Sequence, residues 1–156
     1  MTHPLKAISV WQPWASLLIH GIKTHETRSW QPPLDLLGHR IAIHAAVTFK
    51  AFAAYRHLAR LLPQLDAATV DDAARILPFG AIIGTACLAH SLETTSTLAD
   101  CIPQSEKDLG DWSRGRYAWR LTDPRPLHDP IPFRGQQRLW TVPAETAARI
   151  YRETAA

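Results

Sequence analysis

Sulfur is scarce in this chain. It has one methionine and two cysteines, Cys87 and Cys101, fourteen residues apart. That spacing matches no zinc pattern, and two cysteines without an export signal do not make a disulfide framework. Long apolar runs are missing as well; none approaches the ~20 residues of a membrane-spanning helix. The opening MTHPLKAISVWQPW lacks a basic start, an apolar stretch and a small-residue cleavage site, so no export signal is expected. Eight histidines, at 3, 20, 25, 39, 44, 57, 90 and 128, show no metal-ligand spacing. His20 and His25 straddle Gly21, so they do not share one helix face. A glycine-rich phosphate loop, a G-x-S-x-G turn and a Cys–His arrangement are all absent. These absences predict a cytoplasmic protein with no membrane partner, no metal and no cofactor.

What is present is ordinary globular composition, 46% hydrophobic and 20% charged over 156 residues. One domain covering 1–156 is expected, long enough to remove about 70% of its unfolded surface from water. The net charge of +3 hides a pattern. Residues 1–60 carry a net +5, residues 61–111 a net −6, and residues 112–140 a net +4. If the two basic segments meet in the fold, they make one positive face. Thirteen of the seventeen basic residues are arginine, whose fork suits phosphates and base edges. A genome rich in arginine codons would give the same bias.

The spacing predicts short elements. LKAISV (5–10) alternates as a strand. Pro13 opens a helix over 14–20, where its missing N–H costs nothing, and Gly21 caps it. A second strand is expected over 22–30, a proline-led loop over 31–38, and a third strand over 39–46. Helices follow at 48–62 and 68–77, closed by Pro63 and Pro78. The apolar run 80–90 carries Gly84 in its middle, which suggests a bulge or close backbone approach. The acidic stretch 93–113 shows no period and reads as a loop. A strand at 116–121 is followed by four prolines over 123–133, a density that fits edges and turns rather than a central strand. A short strand (138–142) and a final helix (143–152) complete the chain. Strands and helices do not alternate regularly, so a doubly wound sheet is excluded. The total of five to seven strands and three or four helices predicts an α+β fold, a small mixed β-barrel with helices between strands.

The segment WQPWASLLIHGIKTHETRSW (11–30) holds three of the six tryptophans. On strict alternation Glu26, Arg28 and Trp30 share a face, and Lys23 curls over the same edge. Two readings fit. One is a surface Glu–Arg pair above core tryptophans. The other is a polar pocket with Trp11, Trp14 and Trp30 as flat walls that stack on a base while fixed donors and acceptors read its edge. SRGRY (113–117) and FRGQQRLW (133–140) set Arg116, Arg134 and Arg138 beside glycines and aromatics, either as phosphate grips or as ordinary polar turns. His44, alone in an apolar strand, reads first as a satisfied core histidine.

ISVWQPWASLLIHGIKTHETRSW resembles the opening of the ASCH domain family, named for activating signal cointegrator homology. IAIHAA, GAIIGTACL and GRYAWRL…PIPFRGQQRLW continue the resemblance in the family's order over nearly the whole chain. The resemblance implies a PUA-like barrel with a cleft near Gly-x-Lys that binds RNA or another nucleic acid. It places Lys23, Glu26 and Arg28 in that cleft, with Gln12, Trp14 and Ser29 near it and His44 and Tyr117 as looser candidates. Some small bacterial relatives resemble amidohydrolases that deacylate N4-acylated cytidine. Gly21, Lys23, Thr24 and Arg28 match their segment, but Glu26 stands where they have a threonine nucleophile. The expected partner is therefore RNA or other nucleic acid, with a modified cytidine nucleoside as the alternative and Lys23 and Glu26 as the candidate catalytic pair. Ribonuclease activity is a third reading.

Overall fold

A computed structural model describes residues 3–49, 59–65 and 68–155. Among them, six strands form one sheet: β1 (Lys6–Gln12), β2 (His25–Arg28), β3 (Arg40–Phe49), β4 (Ala81–Glu93), β5 (Tyr117–Pro132) and β6 (Leu139–Thr141). The helices are α1 (Trp14–Ile19), α2 (Leu62–Leu65), α3 (Val70–Ile76), α4 (Ser96–Cys101), α5 (Gln104–Lys107) and α6 (Ala144–Thr154). The strand order is β2-β5-β4-β3-β1-β6; β1 and β3 run parallel and every other pair is antiparallel. This is an α+β, barrel-like sheet of the PUA-like kind. It is not closed by backbone pairing, because β2 and β6 are its two ends.

Alternation sorts the core into two layers. Ile8 and Val10 of β1 join Ile41 and Ile43 of β3, Ile83 and Leu88 of β4, and Trp119 and Leu121 of β5 on the inner face. Ala7, Ala42, Ile82, Leu127 and Ile131 face the other way and are covered by Ala147 and Ile150 of α6. Both faces of the middle strands are buried, which is why AIIGTACLA reads as a continuous apolar run rather than as an alternating one. Helix α1 plugs the inner layer through Ala15, Leu18 and Ile19. Gly84 is the close approach its position predicts: a Cβ there would lie 2.5 Å from Ile19 Cγ1 and 2.5 Å from Arg125 O.

Several element boundaries differ from expectation. The second strand is only His25–Arg28, because the backbone N–H groups of Ile22 and Lys23 both turn back to Leu17 O, each at 3.0 Å. The expected helix at 48–62 lies mostly outside the described residues. Thr48 and Phe49 end β3, and Pro63 sits inside the short helix α2 instead of ending a long one. The 93–113 loop contains α4 and α5, which are too short to show a helical period. Strand β5 runs through all four prolines to Pro132. Only residues 117–120 pair on both sides, with β2 and β4; beyond Arg120 the strand pairs with β4 alone. The prolines therefore lie in an edge half, where a missing N–H costs no ladder bond.

Candidate functional site

The open seam of the sheet, between β2 and the part of β1 beyond its pairing with β6, holds a cavity of about 570 Å³. Ser9, Val10 and Trp11 of β1 line one side, Trp14 of α1 lies at one end, and Lys23, Glu26, Thr27 and Arg28 line the other side. A strap from Asp108 to Asp111, with Arg116, forms the remaining wall. One side chain bridges the seam: Arg28 Nη2 donates to Ser9 O at 2.9 Å.

Local folding aims Lys23 into this space. Gly21, at φ +74°, reverses the chain after α1, and the two bonds to Leu17 O lock the reversal. The Lys23 side chain then runs inward and is 3% exposed. Its Nζ donates to Leu109 O and lies 3.9 Å from Glu26 Oε2. Burial pulls the Lys23 pKa down; the carboxylates of Glu26 and Glu106 oppose that pull and Arg28 adds to it. Glu26 is shared, since its Oε1 lies 3.1 Å from Arg28 Nε. Arg28 Nε makes no well-aligned hydrogen bond, so this contact is a charge pair rather than a directed bond.

The strap is held by hydrogen bonds to β2. Glu106, 7% exposed, accepts from the backbone N–H of Thr24 at 3.0 Å and of His25 at 2.9 Å. Burial alone would raise the Glu106 pKa, but bonds from His25 and Thr24 and the charge of Lys23 together hold it below its ordinary value. Thr27 Oγ1 accepts from Asp111 N at 3.1 Å. Gly110 is in tight contact with the site: a Cβ there would lie 3.2 Å from Lys23 Nζ and 3.2 Å from Thr27 Oγ1. Arg116 Nη2 donates to Thr27 O at 3.2 Å, with its Nε 3.4 Å from Asp111 Oδ2.

The two basic segments do meet, because His25–Arg28 pairs with Tyr117–Arg120. The resulting cavity is nevertheless balanced. Lys23, Arg28 and Arg116 share its lining with Glu26, Asp108 and Asp111. Such a site offers donors and acceptors at close range rather than a uniform positive field, which suits a neutral polar edge better than a bare phosphate.

Of the residues singled out from the sequence, Trp11, Trp14, Lys23, Glu26, Arg28 and Arg116 line the cavity. The others lie elsewhere. Gln12 is fully buried and ties the chain together, donating to Ser16 Oγ and Pro78 O, each at 2.8 Å. Thr24 meets the strap through its backbone, while its Oγ1 is 3.0 Å from His25 Nδ1. Ser29 is exposed. Trp30 stacks edge-on against Trp119 at 4.7 Å, with Arg138 4.3 Å above its ring. His44 is buried beside Trp140, its Nε2 2.7 Å from Phe133 O. Tyr117 packs against the inner core, and Arg134 is exposed. Ser9, Glu106, Leu109, Gly110 and Asp111 were not anticipated. A glycine between Leu109 and Asp111 in an acidic stretch was the one local signal. Among the described residues, no group of three or more His, Cys, Asp or Glu side chains is placed to hold a metal. No described helix is long and apolar enough to cross a membrane.

Comparison with known proteins gives the family and the fold. The ASCH domain profile matches residues 8–124. Human activating signal cointegrator 1 is 29% identical over 143 residues, covering 85% of this chain, and the mouse protein is 28% identical over the same length. The chain spans only 21% of each of those relatives. Among solved structures, ASCH from Zymomonas mobilis superposes with a TM-score of 0.60 at 20% identity, over 97% of this chain and 96% of that one. A single-residue variant of the same protein gives 0.58 at 21% identity, over 96% and 98%. The profile match covers most of the chain, and the chain belongs to the ASCH domain family.

Proposed function

We propose that this chain binds RNA and takes one base or nucleotide into the seam cavity. The observation that carries this reading is the convergence of Lys23, Glu26 and Arg28 in one concavity beside Trp11 and Trp14. Trp11, 48% exposed, stands at the rim, where an indole can stack on an entering base. The balanced charges inside then read the base edge, and the arginines outside the cavity hold phosphates. Labelled single-stranded RNA, titrated by fluorescence anisotropy from low to moderate salt, tests this. The expected result is affinity that falls steeply with salt, because phosphate contacts release counterions. Arg28→Ala is expected to weaken binding by at least about tenfold. Absence of binding at low salt, or binding indifferent to salt, overturns the reading.

One observation favours a second reading. Lys23 is desolvated and 3.9 Å from Glu26 in a nucleoside-sized space. Such a pair suits hydrolysis of an N4-acylated cytosine nucleoside, with Glu26 as base on a water and Lys23 stabilising the oxyanion. Turnover of N4-acetylcytidine is then expected, and is lost in Lys23→Ala and in Glu26→Ala. Turnover that survives both substitutions removes this assignment.

A further inference from the structure

Lys23 stands apart from the other described lysines. Lys6 and Lys107 are partly exposed, and Lys6 Nζ donates to the Thr141 hydroxyl at the surface. Lys23 is 3% exposed and still lines the cavity. A lysine buried so deeply is normally held by a carboxylate in direct contact. Here the contact is weak. Glu26 Oε2 lies 3.9 Å away, outside hydrogen-bond range, and Glu26 Oε1 is taken up 3.1 Å from Arg28 Nε. The other buried carboxylate, Glu106, is spent on the backbone N–H groups of Thr24 and His25. Among the described residues Nζ has one hydrogen-bond acceptor, the uncharged Leu109 O. An ammonium therefore has more donors than this wall has acceptors. With Lys23 neutral, Glu26 and Arg28 remain as a balanced pair. Desolvation and a neighbouring cation are the two conditions that turn a lysine into a nucleophile, and Lys23 has both.

We infer that Lys23 forms a reversible imine with an aldehyde carried by the nucleotide in the cavity. This deepens the RNA-binding reading and rests on it, naming the class of nucleotide that the site holds longest. Glu26 takes a proton from Lys23 Nζ, and the freed amine attacks the aldehyde carbon. A proton then moves from the new C–N nitrogen to the oxygen, giving a neutral carbinolamine. Glu26 returns its proton to that hydroxyl, which leaves as water. Lysine ammonium and aldehyde thus become iminium and water, with no oxidant or reductant. The iminium keeps a positive charge beside Glu26, so the charge balance of the wall is the same before and after. The cavity, about 570 Å³, takes a nucleoside with a one-carbon substituent. Trp11 at its rim stacks on the ring, and the strap keeps out the water that would hydrolyse the imine. The aldehyde can be a formyl group on the base or the open-chain sugar of an abasic nucleotide. Both offer the amine the same kind of carbon.

The test uses short single-stranded RNAs of one sequence whose central residue is cytidine, 5-formylcytidine or abasic. Each is incubated with the protein and sodium cyanoborohydride, which reduces an iminium to a stable amine. Intact-protein and peptide mass spectrometry then count and locate the adducts. The expected outcome is one adduct on Lys23 with an aldehyde RNA and none with the cytidine RNA. Which aldehyde RNA reacts tells whether base or sugar carries the carbonyl. Lys23→Arg, which keeps the charge, is expected to lose the adduct, and Glu26→Gln to slow it at least about 100-fold at saturating RNA. Peptide mapping of the wild type gives the assignment even if a variant fails to fold. Adducts confined to Lys6, Lys50, Lys107 or the terminal amine overturn the proposal, as does a Lys23 adduct formed equally fast in Glu26→Gln. Anisotropy with the same RNAs separates the two readings. Binding without a Lys23 adduct overturns the imine and leaves RNA binding standing, whereas no binding by any of the RNAs overturns both.

Discussion

The two long walls of the cavity were built by different means. The β2 wall, Lys23 to Arg28, follows directly from Gly21 and a four-residue strand in the family's opening segment. The strap wall, Asp108 to Asp111 with Glu106 as its anchor, belongs to a stretch without periodicity and reaches the site only through tertiary hydrogen bonds. The difference teaches where each wall's strength lies. The β2 wall concentrates ionisable groups that a ligand can meet. The strap closes them off from water, and its one deeply placed carboxylate, Glu106, binds the backbone of β2 rather than the cavity.

The largest break in this comparison comes from Lys23→Met. Removing a desolvated ammonium is expected to weaken RNA binding by about 100-fold or more and to lower stability by about 3 kcal/mol, since Glu26 and Leu109 O lose a buried partner. Anisotropy and a thermal melt check both halves. Glu106→Gln is expected to destabilise by about 2 kcal/mol through weaker bonds to Thr24 and His25. The acid response gives its sign. Because the folded pKa of Glu106 is depressed, its contribution is fully present above the unfolded value and is lost as pH falls through the folded one. Melting temperatures measured downward from pH 6 should therefore fall less steeply in Glu106→Gln than in wild type.

Two smaller changes sharpen the contrast. Trp11→Ala is expected to lower affinity about tenfold with little effect on stability, as loss of a base-stacking surface does. Trp30→Ala, which removes the partner of Trp119, is expected to do the reverse. Gly110→Ala is the smallest, about 1 kcal/mol, because the added methyl sits 3.2 Å from Lys23 Nζ and Thr27 Oγ1 and each must give slightly. Unchanged affinity in Gly110→Ala would show that the strap does not shape the cavity.

The β2 wall was legible because its information is local. A glycine, a lysine two positions on, and alternating Glu and Arg fix one edge whatever packs against it. Trp30 shows the limit of that reasoning. It alternates onto the same face as Glu26 and Arg28, yet the chain bends after Arg28 and sends its ring to Trp119. Proline density in β5 marked an edge, as expected, but hid the length of the strand for a related reason. Spacing shows which residues cannot pair on both sides, but not that half of a strand has only one neighbour. The strap was illegible because its placement depends on Glu106 finding the N–H groups of Thr24 and His25 some eighty positions earlier, a relation that no local pattern records. The PUA-like architecture itself was legible through the family resemblance, and the strand count agreed with it.

The central claim is that a flat ligand enters between Trp11, Trp14 and the Lys23–Glu26–Arg28 group. Titrating isotopically labelled protein with a short single-stranded RNA, and following the indole resonances by NMR, tests it most directly. The account predicts saturable shifts at Trp11 and Trp14, with Trp30 and Trp140 nearly still. Shifts confined to the 133–138 loop, with Trp11 and Trp14 unmoved at saturation, would contradict it.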